Sequence, residues 1–220
     1  MYEMCTRMRR KLDVSFKCIH ILFAQPAKAI ASKRYVYTLE TRCRRFFMNN
    51  TRDKTERILG IDPGFGRVGL GVIEKRNGVW VHVGHGLLET SPKKSFIERL
   101  WEVHTEVEKI VKKYKPTRAA VEELFFAKNT TTAIQVAQAR GVILLTLIQA
   151  GVPVDEFTPL QVKQALTGYG RAEKGQIQKM VLMMLQMKEK KLQDDAADAL
   201  ALALTSASSL KFLQKTRQRA

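Results

Sequence analysis

A chain of 220 residues, 45% of them hydrophobic, is long enough for one domain with a buried core. Its 38 Lys and Arg outnumber 21 Asp and Glu, for a formal charge of +17 and a pI near 10.0, so a polyanionic partner is expected: nucleic acid first, an acidic membrane surface second. No stretch approaches the roughly 18 apolar residues of a membrane span, and Cys5, Cys18 and Cys43 all fall in the first 47 residues, which excludes a disulfide framework or a thiolate-held metal from the remainder and fits a reducing cytoplasm.

Residues 1–47 hold eleven Lys or Arg against Glu3, Asp13 and Glu40, a net +8 that leaves +9 for residues 48–220. They show no sustained period. A signal or transit peptide is one reading, although the apolar run Cys18 to Ala24 is short and bordered by Lys17. A flexible basic arm is a second, and a mis-set start upstream of Met48 is the third and preferred one. The expected organisation is a basic N-terminal extension over 1–47, one folded domain over 57–209, and a basic tail over 210–220.

From Ile58 the pattern becomes regular. ILGID reads as a short buried strand, and RVGLGVIE alternates Val68, Leu70 and Val72 on one face. Asn77-Gly78 is a strong hairpin signal, and VWVHVGHGLLE continues as a third strand. SFIERLWEVHTEVEKIVKKY predicts an amphipathic helix that stops before Pro116. AAVEELFF predicts a fourth strand, and a helix capped near Asn129 is expected to run to Gln149 and close at Gly151. VPVDEFTP gives a fifth strand, followed by helices over 159–167 and 173–187 and a last helix from about Asp194. The order predicts an α/β fold: a five-stranded mixed sheet, a three-strand meander plus two parallel strands, flanked by helices.

Gly64, Gly66 and Gly69 form a G-x-G-x-x-G directly after the first strand, with Glu89 twenty residues on. A dinucleotide site requires a helix to begin within that loop, because its N-terminal amides hold the pyrophosphate. Here a period-two segment follows, so the fingerprint lacks its context. The glycines at 66, 69 and 71 are expected to leave open space beside Asp62 for a bulky ligand backbone.

Asp62 ends an otherwise apolar strand, where a buried carboxylate is costly without a partner. Glu122 and Glu123 are adjacent on the fourth strand, so alternation lets only one of them join Asp62. Asp195 and Asp198 are three apart on a helix and share a face, amid Ala196, Ala197, Leu200, Leu202 and Leu204. The bland account of Asp194, Asp195 and Asp198 is preference for a helix N-terminus. Four gathered carboxylates repel one another and do not all ionise, whereas divalent cations resolve the conflict. All-oxygen ligation favours Mg²⁺ or Mn²⁺ over zinc, and two ions ~3.5–4 Å apart suit in-line attack on a phosphodiester. With so basic a chain, the expected site is a nuclease site.

At this point LGIDPG, AAVEELFFAKN, QVAQARGV, QVKQALTGYGRAEK and DDAADALALA together resemble, in order and spacing, the RuvC family of Holliday-junction resolvases, over about Ile58 to Ser209. The resemblance implies an RNase H-like fold, a homodimer, symmetric cutting of a four-way DNA junction with Mg²⁺, two ions per site with Mn²⁺ as a substitute, and a branch-migration helicase complex of RuvA and RuvB as partner. It assigns catalytic, metal-binding roles to Asp62, Glu122 (over Glu123), Asp195 and Asp198; Asp194 is an extra acid outside the motif. It places Phe125 in the junction, stacking on bases, with Phe126 in the core, and Lys163 and Lys174 against the scissile backbone. Lys128 and Arg140 are weaker candidates for phosphate contacts. Residues before Met48 have no counterpart in the family pattern.

The helix GVILLTLIQAG is apolar around most of its circumference and needs cover beyond the sheet, for which a subunit interface is a reasonable source. His82 and His85, three apart on a strand, are expected on opposite faces in surface or core roles, and His104 has no evident partner. A phosphate-binding ATPase of the actin and sugar-kinase type also opens with a D-x-G-like turn and hairpin, but it requires a second phosphate loop that is not found after Met48. A non-catalytic DNA-binding relative is expected to lack at least one of the four acids, and all four are present.

Overall fold

The computed structural model describes residues 55–124, 130–189 and 191–217. Strands β1 (Arg57–Asp62), β2 (Arg67–Arg76) and β3 (Val79–Glu89) form the antiparallel meander, and β4 (Arg118–Glu122) and β5 (Val154–Phe157) extend it in parallel, giving the order β3-β2-β1-β4-β5. Asn77 and Gly78 make the β2–β3 turn with φ of 50° and 81°, the two left-handed residues whose twist matches a hairpin. The β2–β3 register slips between Val72 and Ile73, which face Gly84 and His82 respectively. Val83 is therefore an extra residue, a β-bulge.

One face of the sheet carries α1 (Phe96–Tyr114) and α2 (Thr130–Gln149). A capping box between Ser95 and Glu98 starts α1, and Lys115, at φ 48°, ends it ahead of Pro116. Val103, Val107, Ile143 and Leu147 pack on Leu59, Ile61, Val72 and Val121 in the core of that face. Between the two helices, His104 Nδ1 lies 2.8 Å from Thr146 Oγ1, the partner the sequence did not reveal.

The opposite face carries α3 (Pro159–Thr167), α4 (Lys174–Met184) and α5 (Asp194–Arg217). Here α5 lies directly on β1, β2 and β4, with α3 and α4 packed on its other side. A helix covered from two directions must be apolar all round. Accordingly Ala196, Ala197 and every residue from Ala199 to Ala207 are buried. The helix also runs on to Arg217, through much of the segment that the sequence suggests as a tail.

Glycines make that approach possible. A Cβ on Gly60 would stand 1.8 Å from the Ala199 carbonyl oxygen, and one on Gly69 would stand 2.0 Å from that of Asp195. One on Gly71 would meet Leu200 Cδ2 at 2.8 Å. This corrects the expectation that Gly69 and Gly71 open space for a ligand backbone: they seat α5. Among the described residues, no helix is long and apolar enough to cross a membrane.

Candidate active site

The register decides which acids meet. Asp62 pairs with Gly69, so it points to the α5 face, and Ala120 lies beside Gly60 on the same face. Two residues along β4, Glu122 shares that side, while Glu123 turns away and its amide bonds the Phe157 carbonyl at 2.9 Å. Because Gly69 touches the backbone of Asp195, the first turns of α5 arrive beside the same strand ends and bring Asp195 and Asp198 with them.

Asp62 and Glu122 stand close enough for each carboxyl to perturb the other. Burial first, then the charge of Glu122 and of Asp198 and Asp195, pushes Asp62 up to about 8. Burial also raises Glu122, against the hydrogen bond from Asp62, and raises Asp198 despite its bond to Lys174. Lys174 Nζ stands 3.2 Å from Asp198 and 3.4 Å from Asp194. Its pKa is pulled down by burial but raised on balance by those two carboxylates. Arg67 Nε lies 3.8 Å from Asp195 and 3.2 Å from Glu89. The acids are thus gathered with cations already among them. Among the described residues, no three acidic, His or Cys side chains stand ready-placed around one ion position.

A cleft beside them is lined by Glu122, Lys163, Lys174, Asp198, Pro159 and Leu202, so both lysines singled out by motif open onto the acids. A larger groove between β3 and α1, lined by Val72, Gly84, Glu102 and Tyr114 among others, holds none of the four acids. The turn after Asp62 is fastened from α1. Phe65 stacks on Phe96 at 4.9 Å between centroids, Arg99 lies 3.8 Å over the Phe65 ring, and Arg99 Nε donates to Thr90 Oγ1 at 2.9 Å.

Arg140 differs from its expected place. Its Nε donates to the Glu122 carbonyl at 2.9 Å and its guanidinium pairs with Glu156, so it is engaged within the protein. The two histidines also differ: His82 Nε2 and His85 Nδ1 lie 2.8 Å apart, and His85 Nε2 lies 3.6 Å from Glu189. The extra residue at Val83 shifts the alternation, so two side chains three apart share a face. Phe125, Phe126 and Lys128 lie outside the described residues. Arg67 is the neighbour that the sequence did not single out. One arginine after a turn, in so basic a chain, carries no distinguishing signal.

The family model described as crossover junction endodeoxyribonuclease RuvC matches residues 58–206. The RuvC of Petrotoga mobilis is 49% identical over 146 residues, which is 66% of this chain and 90% of its own. That of Desulfitobacterium hafniense is 50% identical over 158 residues, 72% of this chain and 96% of its own. Among solved structures, Thermus thermophilus RuvC in complex with a Holliday junction substrate superposes with a TM-score of 0.67 at 37% identity, over 71% of this chain and 96% of that one. The yeast mitochondrial Holliday junction resolvase shares the fold, with a TM-score of 0.56 at 12% identity over 82% of this chain and 91% of that one. The chain belongs to the RuvC family of crossover junction endodeoxyribonucleases.

Proposed function

We propose that the chain resolves four-way DNA junctions in recombination and repair by symmetric, divalent-metal-dependent hydrolysis of phosphodiesters. The observation that carries this reading is the set of four carboxylates gathered where α5 meets the ends of β1 and β4, beside a cleft that contains two lysines. A pair of half-buried carboxyl groups whose pKa values are both raised suits a hard divalent cation, and an all-oxygen donor set suits Mg²⁺ with Mn²⁺ as a substitute. Asp62, Glu122, Asp195 and Asp198 would hold the metal, two ions per site. When bound, such ions supply an activated water and charge stabilisation at the leaving oxygen.

The chain's own groups do the rest. Lys163 and Lys174 provide positive charge for the phosphate and for charge that develops on it during cleavage. Lys174 stands between Asp194 and Asp198 and lines the cleft beside Glu122, which supports that role. By motif, Phe125 stacks on a junction base and Lys128 adds a phosphate contact. The protein acts as a homodimer in the cytoplasm, with RuvA and RuvB as its helicase partner. The second copy covers an outer stripe of α2 formed by Ile134, Gln138, Gly141, Leu145 and Ile148, all exposed, whose four-and-three spacing marks one side of a helix. Exposed Ile97 and Trp101 on α1 add to the apolar surface of the same sheet face. A two-fold dimer presents one site to each of two equivalent strands.

The test is cleavage of a synthetic four-way junction against linear duplex, with and without Mg²⁺. Asp62→Asn should lower the cleavage rate at least about a thousandfold, the scale of lost metal-borne charge stabilisation, while binding the junction as wild type does. Full cleavage by that variant overturns the carboxylate mechanism.

A further inference from the structure

Arg140 sits on α2, against the edge of the sheet farther from the meander, and its side chain is only 17% exposed. The reason it reaches Glu122 lies in the strand register. Odd-numbered residues of β4 turn their amides toward β5, as Ala119 does to Pro153 and Glu123 does to Phe157, so even-numbered ones address β1. With Ile61 opposite Val121, the carbonyl of Glu122 would take its ladder bond from the amide of residue 63. That residue is Pro63 and has no N–H. The strand bearing the acid therefore ends on a carbonyl that its own sheet cannot satisfy, and a part-buried carbonyl left without a donor is unfavourable. Arg140 Nε supplies the donor at 2.9 Å, and Glu156 on β5 holds the guanidinium in place.

We propose that Arg140 is a positioning residue for Glu122: it fixes the peptide from which the carboxylate projects, and so aims that carboxylate at Asp62 and the metal. The proposal rests on the reading of Glu122 as a metal ligand. It replaces a phosphate-contact role for Arg140. It also joins two functions through one side chain, because Arg140 adjoins Gly141 in the α2 stripe assigned to the second copy.

The experiment compares Arg140→Gln, Arg140→Lys, Glu156→Gln and Glu122→Gln. For each, Mn²⁺ affinity is read from the free-ion paramagnetic signal, junction affinity is measured across salt in metal-free buffer, and cleavage is followed over a Mg²⁺ series. Arg140→Gln should weaken Mn²⁺ binding about tenfold, as loss of an outer partner of a metal ligand does. The Mg²⁺ needed for half-maximal cleavage should rise in step, and saturating Mg²⁺ should restore most of the rate. Arg140→Lys, which keeps one donor, should recover part of the affinity, and it carries the test if Arg140→Gln does not fold. Glu156→Gln leaves the bond from Nε but loosens the guanidinium, so it should cost less Mn²⁺ affinity than Arg140→Gln; a larger loss than that of Arg140→Gln overturns the proposal. Weaker junction binding by Arg140→Gln, with a salt slope shallower by about one and unchanged Mn²⁺ affinity, restores the phosphate contact and overturns it too. If Glu122→Gln still cleaves, the assignment of the acids fails. If Glu122→Gln is inactive while Arg140→Gln matches wild type throughout, the positioning role alone fails.

Discussion

On one face of the sheet, α1 and α2 pack through side chains such as Val103, Val107, Ile143 and Leu147, and they leave Trp101, Leu145 and Ile148 in solvent. On the other, α5 packs through its backbone against Gly60 and Gly69, and its apolar residues from Ala196 to Ala207 are all buried. Side-chain packing tolerates adjustment, because a Leu or Val can change rotamer. Backbone-on-backbone packing does not, since the distance is set by atoms that have no rotamers. The face that must bring four carboxylates together uses the stiffer arrangement. The face assigned to a second copy uses the softer one.

Adding one methyl group to each side tests that contrast most severely. Gly60→Ala places a carbon within covalent range of the Ala199 oxygen, so α5 must lift. Stability should fall by about 3 kcal/mol or more, and cleavage should be lost with it. Gly86→Ala, where nothing lies within 4 Å, should stay within about 0.5 kcal/mol of wild type. Chemical denaturation of both variants decides it, and a Gly60→Ala protein of normal stability removes the basis of the comparison.

The softer face is tested with a charge. Leu145→Asp, at a position 57% exposed, should leave the domain folded but weaken self-association about a hundredfold, because the partner would bury an unpaired carboxylate. Light scattering over a dilution series measures this. An unchanged association constant would show that the second copy sits elsewhere.

The last test concerns proton balance on the α5 face. Folding raises Asp62 from 3.8 to about 8, so between those values the folded protein holds a proton that the unfolded chain has released. Stability of the metal-free protein therefore falls as pH rises from about 4 through 8. Asp62→Asn removes this dependence and should be the more stable protein at pH 8, with the advantage fading toward pH 4. Thermal unfolding of the two proteins across pH measures it, and parallel curves contradict the raised Asp62 carboxyl.

Much of this was legible in the sequence because the signals are local or periodic. The hairpin follows from Asn77-Gly78, the meander from alternation, and the gathering of Asp62 and one of Glu122 and Glu123 with Asp195 and Asp198 from strand ends and a three-residue helical spacing; the resemblance chose Glu122. What was not legible depends on what lies across from a residue. Gly69 looks the same in a sequence whether it faces DNA or a helix backbone. The meeting of His82 with His85 needs the bulge at Val83, which arises from pairing with β2 and leaves no mark on β3 itself. Arg140 reads as one more cation until the register shows that Pro63 has left the Glu122 carbonyl without a donor.

The contacts of Gly60 with Ala199 and of Gly69 with Asp195 carry a consequence for how the protein tolerates change. The two carbonyls are four residues apart, about one helical turn or ~6 Å along the axis, and they land on diagonal positions of adjacent strands, since Gly60 pairs with Gly71 and Gly69 lies two residues further on, ~7–8 Å apart. The helical turn and this diagonal are of similar length, so α5 is indexed on the sheet as a toothed part is on its rack. Sliding by one residue, or rotating by a fraction of a turn, would drive a carbonyl into a strand. Substitutions among Leu200, Leu202 and Leu204 can therefore alter how firmly the domain holds together without altering where Asp195 and Asp198 stand. Mechanical alignment of the acids is separated from the composition of the core around them.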